Sequence, residues 1–392
     1  MRIGIFTDSY YPHVSGVSTS IEMLKNALEE MGHIVYIVAP NKTFLYDKKN
    51  RIIWLPGLKF SSYELRVASI YSNKAMKIIE KEWNLDIIHT QTELTIDIFA
   101  RTVAKKLNIP LVRTYHTLYE DYTYYVTKGH LDNLAKKAVI KLTKKFCEKR
   151  CDELIVPTEK IKKLFIEKYN IKREMFIIPS GIDIKRFNIN NIKRKESKEL
   201  RKKYHIAEDD FVIGAVGRVA SEKSFDEIIK NMPDLIKLNN KIKFMLVGTG
   251  PQLEELKKLA KQLKVDKNTI FTDFVDYNKV CNYYHVFDVM VSFSKTETQG
   301  LTIIEGLASS KPIVCIDDPS FRSMVQHNYN GFLFTKNEDF RNFIIKLMLD
   351  KELYKTTCMN AKNSVYSYSK EVFASRVLKV YYQALDKKTI KH

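Results

Sequence analysis

Val289-Met290-Val291-Ser292-Phe293 runs into Ser294-Lys295-Thr296-Glu297-Thr298-Gln299-Gly300 and then into Leu301-Thr302-Ile303-Ile304-Glu305-Gly306. The first five residues are an apolar run of strand length. Beyond Gly300, Leu301, Ile304, Leu307 and Ala308 recur at helical spacing. A buried strand, a polar loop ending in glycine and a helix make up part of a βαβ unit. The same grammar occurs upstream. Phe211–Val216 leads into Gly217-Arg218-Val219-Ala220-Ser221-Glu222-Lys223-Ser224 and a helical pattern near 224–239. At the amino terminus, Arg2–Phe6 leads through Thr7-Asp8-Ser9 to Gly16, which opens a helix with Val17, Ile21, Leu24 and Leu28 on one stripe.

Working outward, strands are expected at Ile34–Ala39, Ile52–Leu55, Asp86–His89, Leu111–Tyr115, Glu153–Val156 and Phe176–Ile178 in the first half. Helices are expected near 17–31, 65–82, 95–107, 131–150 and 158–169. After residue 200 the pattern restarts, with strands at Lys243–Val247, Ile270–Phe274, Ile313–Cys315 and Phe332–Phe334. Ile- and Val-rich strands separated by helix-length segments predict parallel sheets covered on both faces. The expected fold class is α/β, with two doubly wound Rossmann-like domains facing across a cleft at the carboxyl ends of their strands. The first domain spans 1–190, the second 191–369, and the polar stretch around 187–203 reads as the linker. A last helix, about 370–386, carries Val372, Phe373, Val377, Val380 and Leu385 at helical spacing.

Composition limits the function. The 392 residues include 65 Lys+Arg against 46 Asp+Glu, a formal charge of +19. That balance suggests an anionic partner: nucleic acid, a membrane surface or a phosphorylated substrate. Residues 1–190 hold 31 basic and 21 acidic residues (+10), so the remaining 34 and 25 give +9, and neither half is a basic tail. Residues 128–150 concentrate eight basic and two acidic residues. There Leu131, Leu134, Ala138, Leu142 and Phe146 form a stripe, with Lys137, Lys141, Lys144 and Lys145 off it. Such a helix either docks on a membrane or partner, or is a core helix with a solvated back. Helix 65–82, with Lys74, Lys77 and Lys81, is a milder case. Five cysteines without CxxC spacing support neither a zinc site nor a disulfide framework. No uncharged apolar run approaches the ~20 residues of a transmembrane helix, and the amino terminus turns polar too early for a signal peptide.

The loops carry the chemistry. Arg218 and Lys223 follow a strand and precede a helix, where two cations could clamp a diphosphate; solvated surface charge is the alternative. The N–H groups of Gly300, Leu301 and Thr302 could meet an anion at a helix start. Glu297 suits accepting hydrogen bonds from a sugar and Glu305 from a ribose, against one surface and one helix-face glutamate. Gly16 lets backbone approach a ligand or simply makes a tight turn. His116 closes a strand within Thr114-Tyr115-His116-Thr117-Leu118-Tyr119-Glu120-Asp121-Tyr122. It is an acceptor-side candidate or a structural histidine. Gly248-Thr249-Gly250-Pro251 has no third glycine or ribose acid, so a nicotinamide site is unsupported, and a P-loop is missing. With no DxD-type acid pair at a strand end, cations and helix dipoles would replace a metal.

Together these features resemble the family 4 retaining glycosyltransferases of the GT-B fold. The Gly16 loop, Pro179-Ser180-Gly181-Ile182-Asp183, Gly217-Arg218 with Glu222-Lys223, and the pair Glu297 and Glu305 carry the resemblance. It implies that Arg218 and Lys223 hold the donor diphosphate, with Gly16 against it. Glu297 would contact the donor sugar and Glu305 the ribose. Gln299, Gly300, Leu301 and Thr302 would line the donor, and the final helix, 370–392, would return to the first domain. His116-Thr-x-Tyr119-Glu120-x-Tyr122, the basic helix and Glu297-Thr-Gln299-Gly300 look like bacterial diacylglycerol glucosyltransferases. That similarity implies a hexosyltransferase moving an α-glucosyl unit from UDP-glucose to the 3-hydroxyl of 1,2-diacylglycerol. It implies peripheral attachment to the anionic inner face of the cell membrane, no permanent cofactor, no metal and no nucleic-acid partner. His116, Glu297, Arg218 and Lys223 would be the catalytic set. Glu-Thr-Gln-Gly replaces the Glu-Gly-Phe-Gly of much of the wider family. UDP-galactose, or another acceptor such as phosphatidylinositol or a soluble glycan, is the alternative; a basic nucleic-acid-binding protein is the distant one.

Overall fold

The computed structural model describes residues 1–12, 15–59, 66–93, 95–118, 120, 132–188 and 194–390. It divides into two units, Met1–Gly181 with Lys370–His392, and Ile182–Ser369.

The first unit has strands β1 (Arg2–Phe6), β2 (Ile34–Asn41), β3 (Leu45–Asp47), β4 (Ile52–Lys59), β5 (Arg66–Ala68), β6 (Ile87–Thr90), β7 (Leu111–Thr114), β8 (Glu153–Val156) and β9 (Phe176–Ile177). They form one sheet in the order β3-β4-β2-β1-β6-β7-β8-β9, with β5 on β4. β3 and β5 pair antiparallel with β4 and the other pairs are parallel. Ile3, Ile5, Ile37, Ile87, Val112 and Ile155 are buried, as strands covered on both faces require. Helices α1 (Gly16–Glu30), α2 (Asn73–Ile78), α3 (Thr95–Leu107), α4 (Asp132–Lys149) and α5 (Glu159–Glu167) connect them. The strand order reverses between β1 and β6, and the loops that follow these strands are tied there. Asp8 accepts from Thr92 Oγ1 (2.7 Å), Thr95 Oγ1 (2.9 Å) and the Ile96 N–H (3.0 Å). Burial raises the Asp8 pKa, and these hydrogen bonds oppose the shift.

The helix expected over 65–82 is shorter and begins later. Residues 66–68 form β5 instead, where the Ala68 N–H donates to Thr95 Oγ1 (3.0 Å). Ser72 then caps α2, accepting from the Ala75 N–H (3.3 Å). A π-helical turn, Ile79–Trp83, follows and ends on left-handed Asn84. Side chains competing for backbone donors cut the helical period short.

The second unit has helices α6 (Ile184–Phe187), α7 (Arg194–Lys203), α8 (Phe225–Leu238), α9 (Leu253–Gln262), α10 (Tyr277–Tyr284), α11 (Leu301–Ala308), α12 (Asn337–Leu349) and α13 (Lys351–Ser364). Its strands are β10 (Phe211–Val216), β11 (Ile242–Val247), β12 (Thr269–Phe271), β13 (Val289–Ser292), β14 (Ile313–Ile316) and β15 (Gly331–Phe334). They form an all-parallel sheet in the order β12-β11-β10-β13-β14-β15. The order reverses between β10 and β13, so the loops after these two strands flank the topological switch point.

The stretch expected as a linker is largely built into this unit. Ile182 and Phe187 lie in its core, and the Ile182 N–H donates to the Tyr368 carbonyl (2.9 Å). Leu200 and Tyr204 pack against the same core. Arg201 donates to the carbonyls of Val286 (3.1 Å), Ala207 (2.7 Å) and Asp210 (2.9 Å). The division therefore falls at Gly181–Ile182 rather than 190–191. The high charge of α7 masks a single apolar contact row. Residues 189–193 lie outside the described residues.

The last described element, helix α14 (Lys370–Ile390), belongs to the first unit. At 1.5 Å per residue its 21 residues span roughly 32 Å. It buries Phe373, Ala374, Val377, Val380, Tyr381 and Ala384 in the cluster that holds Ile21, Leu24, Ala27 and Leu28 of α1. Val372 and Leu385 are only partly covered.

Candidate active site at the strand ends

In the second unit, the loop after β10 carries Arg218 and Lys223 and the loop after β13 carries Glu297, Gln299 and Gly300. The two loops are joined. Lys223 Nζ donates to Glu297 Oε1 at 2.5 Å, with both side chains largely covered. Ser294 Oγ (3.1 Å) and Thr296 Oγ1 (3.3 Å) donate to the Glu222 carbonyl. Ser320 Oγ donates to the Glu297 carbonyl (2.5 Å). Arg218 is exposed on the same loop as Lys223. An anion arriving here meets a cation already held beside a carboxylate, on loops fixed by side-chain hydrogen bonds.

The glycines of Gly248-Thr249-Gly250 serve that loop. A Cβ at Gly248 would lie 2.0 Å from the Gly217 carbonyl oxygen, and one at Gly250 2.3 Å from that of Val219. The Val219 N–H donates to the Thr249 carbonyl (2.9 Å). The pattern that is insufficient for a nicotinamide site thus brings a neighbouring turn against the Arg218 loop.

Gly300, at φ +89°, is the N-cap of α11, and a Cβ there would lie 2.8 Å from Phe321 Cε1. Its left-handed turn is costly for other residues. It opens α11 without a side-chain cap, leaving the first-turn N–H groups to other acceptors. Gln299 is buried beside it, and Leu301 and Thr302 are partly exposed. One turn further, Glu305 is buried and accepts from the Tyr284 hydroxyl at 2.5 Å. Burial pushes its pKa up to about 7, while hydrogen bonds from Tyr284 and Tyr277 and the charge of Arg186 hold it down. Arg186 lies over the Tyr277 ring, 4.1 Å from its centroid. Sequence reasoning missed Tyr284. Its signal is a tyrosine at the inner end of an amphipathic helix, which does not by itself distinguish it from core.

In the first unit, Gly16 is the exposed first residue of α1, and Ser15 is the cap. Ser15 Oγ accepts from the Ser18 N–H (3.2 Å), and Ser18 Oγ accepts from the Ser15 N–H (2.7 Å). Ser20 Oγ donates to Ser180 Oγ (2.8 Å), tying the Pro179-Ser180-Gly181 turn to α1. His116 follows β7 and shares a 2.6 Å hydrogen bond with Gln91 Oε1. Burial lowers its pKa to about 4, so it is neutral near pH 7. Gln91 was also missed, although it follows β6 as His116 follows β7. Tyr119, Tyr122 and Leu131 of the sequence motifs lie outside the described residues.

Helix α4 departs from the expected stripe. Phe146 is buried, but Leu134 is 64% and Leu142 48% exposed. They share an outer face with Lys137, Ala138, Lys141 and Lys145, all exposed. The inner face is a different row, with Ile140, Thr143, Phe146 and Cys147 turned to the unit. Three arginines, Arg101, Arg113 and Arg150, lie 5.0–5.5 Å from the Phe146 ring centroid, and buried Arg113 also pairs with Asp97. That cationic seat fixes the rotation of α4 and leaves an apolar and basic face outward.

Among the described residues no group of three or more His, Cys, Asp or Glu is placed to hold a metal. None of their helices is long and apolar enough to cross a membrane.

Two family models match: Glycosyltransferase Family 4 over residues 14–186 and Glycosyl transferases group 1 over residues 196–364. The chain is 34% identical over 387 residues to an alpha-monoglucosyldiacylglycerol synthase of Streptococcus pneumoniae, covering 98% of this chain and 86% of that one. It is 35% identical over 399 residues to the enzyme of the same name from Acholeplasma laidlawii, covering 99% and 98%. Among solved structures, Anabaena Alr3699/HepE in complex with UDP and glucose superposes with a TM-score of 0.75 at 15% identity, covering 98% of this chain and all of that one. At that identity the likeness is one of fold. The two family models, the full-length relatives and the fold agree: the chain belongs to the family 4 glycosyltransferases and is a GT-B enzyme.

Proposed function

We propose that the enzyme transfers an α-glucosyl unit, with retention, from UDP-glucose to the 3-hydroxyl of 1,2-diacylglycerol at a membrane surface. The observation that carries this reading is full-length similarity to two alpha-monoglucosyldiacylglycerol synthases, combined with an outward apolar and basic face on α4. In this reading Arg218, Lys223 and the N–H groups at Gly300, Leu301 and Thr302 receive the diphosphate. Glu305 accepts from the ribose, Glu297 from the glucose, and Gln299 lines the donor. Gly16 gives the diphosphate close backbone approach. UDP gains negative charge as the glycosidic bond breaks, and preorganised cations and N–H dipoles stabilise that charge without a metal. Glu297, held by Lys223, and neutral His116 supply hydrogen bonds while positive charge develops on the sugar. With no covalent nucleophile assigned, the acceptor hydroxyl attacks the face that UDP leaves.

The acceptor is a bilayer lipid, so α4 is assigned to an anionic surface, as on the inner face of the cell membrane. Lys137, Lys141, Lys144 and Lys145 would contribute ~1 kcal/mol each before screening, with Leu134 and Leu142 entering the interface. The test is a donor-by-acceptor matrix on liposomes, with lipid products separated by thin-layer chromatography. Glucolipid formed only with UDP-glucose and diacylglycerol is the expected result. Galactolipid, glucosylated phosphatidylinositol or a soluble glycan as the main product refutes it.

A further inference from the structure

Two charged side chains of the strand-end loops are matched to each other. Lys223 Nζ donates to Glu297 Oε1 at 2.5 Å, and the two side chains are 28% and 16% exposed. Their backbones are pinned. Lys223 closes the turn Ser221–Lys223, where its N–H donates to the Ala220 carbonyl (3.0 Å), and Ser224 follows in a left-handed conformation at φ 52°. The Glu297 carbonyl accepts from Ser320 Oγ (2.5 Å), while Ser294 and Thr296 hold the same loop to the Glu222 carbonyl. The pair can therefore open without either loop moving. Two side chains that still reach solvent turn on fixed backbones.

A carboxylate this close to an ammonium offsets the charge that the lysine offers an anion, and it repels the anion as well. A diphosphate that takes Lys223 must therefore take it from Glu297. An ionised carboxylate only accepts hydrogen bonds, and removing a charged donor from it costs free energy unless another arrives. Here the donor and its product differ. UDP-glucose brings sugar hydroxyls that can donate to the carboxylate, and UDP brings none beyond its second phosphate.

We propose that the Lys223–Glu297 pair makes the site discriminate UDP-glucose from UDP. The donor exchanges the pair for two new contacts, Lys223 with the diphosphate and Glu297 with the glucose. UDP opens the pair and offers Glu297 no donor in exchange. The inference rests on the reading that places Lys223 at the diphosphate and Glu297 at the sugar. Its consequence follows transfer. Once the glucosyl unit has left for the lipid, Glu297 reclaims Lys223, UDP loses a cation, and product release is favoured.

The test is calorimetric titration of UDP and of UDP-glucose, without diacylglycerol, into the full chain and into Glu297→Gln, Glu297→Ala and Lys223→Met, each matched to the unsubstituted chain by Tm. Glu297→Gln releases Lys223 and should bind UDP roughly three- to tenfold more tightly, the range expected for a partly covered charged contact. UDP-glucose should gain nothing, because it loses its own contact with the carboxylate. Glu297→Ala should show the same pattern. A UDP affinity in both Glu297 variants no higher than that of the unsubstituted chain overturns the proposal. So does an equal gain for UDP and UDP-glucose, which marks a carboxylate that repels both ligands alike; the diphosphate reading would survive that result. Lys223→Met should weaken both ligands. Unchanged UDP affinity in Lys223→Met refutes the diphosphate reading itself, and the proposal with it.

Discussion

Tyr284→Phe removes one oxygen from a buried site and should change how donor binding depends on pH. The Tyr284 hydroxyl donates to Glu305 Oε2 at 2.5 Å, and both residues are buried. Glu305 has a pKa of about 7 because burial outweighs the hydrogen bonds and the Arg186 charge that favour its ionised form. A hydrogen bond to a charged group contributes ~1.5–3 kcal/mol. At 1.36 kcal/mol per pKa unit, its loss raises Glu305 by roughly one to two units. At pH 7 the ionised fraction would fall from about one half to between roughly a tenth and a hundredth. If the carboxylate receives the ribose, UDP affinity at pH 7 drops roughly five- to fiftyfold, and the deficit closes as pH rises past 9. Calorimetric titration of UDP from pH 6 to 10 reads this directly, and Glu305→Gln should give weak, pH-flat binding. Stability moves in the opposite sense to that of an ordinary salt-bridged acid. The folded pKa lies above the usual 4.5. The native state therefore holds the proton longer, and stability falls as pH rises from about 4.5 through 7, by roughly 3 kcal/mol. In Tyr284→Phe that fall should extend to higher pH. A UDP affinity in Tyr284→Phe that matches the unsubstituted enzyme at every pH would refute the reasoning.

Three other perturbations test separate parts of the molecule. Arg218→Ala should abolish most turnover while leaving Tm unchanged, since the side chain is exposed; near-normal glucosyl transfer would remove it from the diphosphate site. Gly300→Ala forces a side chain into a left-handed turn against Phe321. It should cost about 1–2 kcal/mol from the backbone alone, seen as a Tm lowered by several degrees, and an unchanged Tm would contradict the geometry. Leu134→Asp with Leu142→Asp should weaken sedimentation with anionic liposomes severalfold and leave the circular dichroism melt in place. A lowered Tm without a change in lipid binding would place these side chains in packing instead.

Most of the sheet was legible because parallel strands buried on both faces leave short runs without charged residues, rich in Ile, Val and Phe, as in Ile3–Phe6 and Phe211–Val216. The loops Gly217–Ser224 and Ser294–Gly300 were legible because strand, glycine and helix follow one another locally. What escaped depends on partners distant in sequence. Tyr284 meets Glu305 across 21 residues, and Gln91 meets His116 across 25. Neither spacing has a local period. Helix α7 was hidden by its charge, since its apolar contacts come from Leu200 and the following Tyr204. The stripe on α4 misled for a related reason. Leucine spacing identifies a helix face, but the Phe146 seat among Arg101, Arg113 and Arg150 determines which way it turns.

The return of α14 to the first unit also sets an order on assembly during synthesis. A ribosome emits Met1–Gly181 first, yet Phe373, Val377, Val380 and Tyr381, which complete its core, emerge only after all of Ile182–Ser369. The second unit is continuous in sequence and can close as soon as its own strands are out. The first must wait with one face of α1 uncovered. In this protein the half made earliest is the half finished last, and nascent-chain protection by proteolysis should appear in that reversed order.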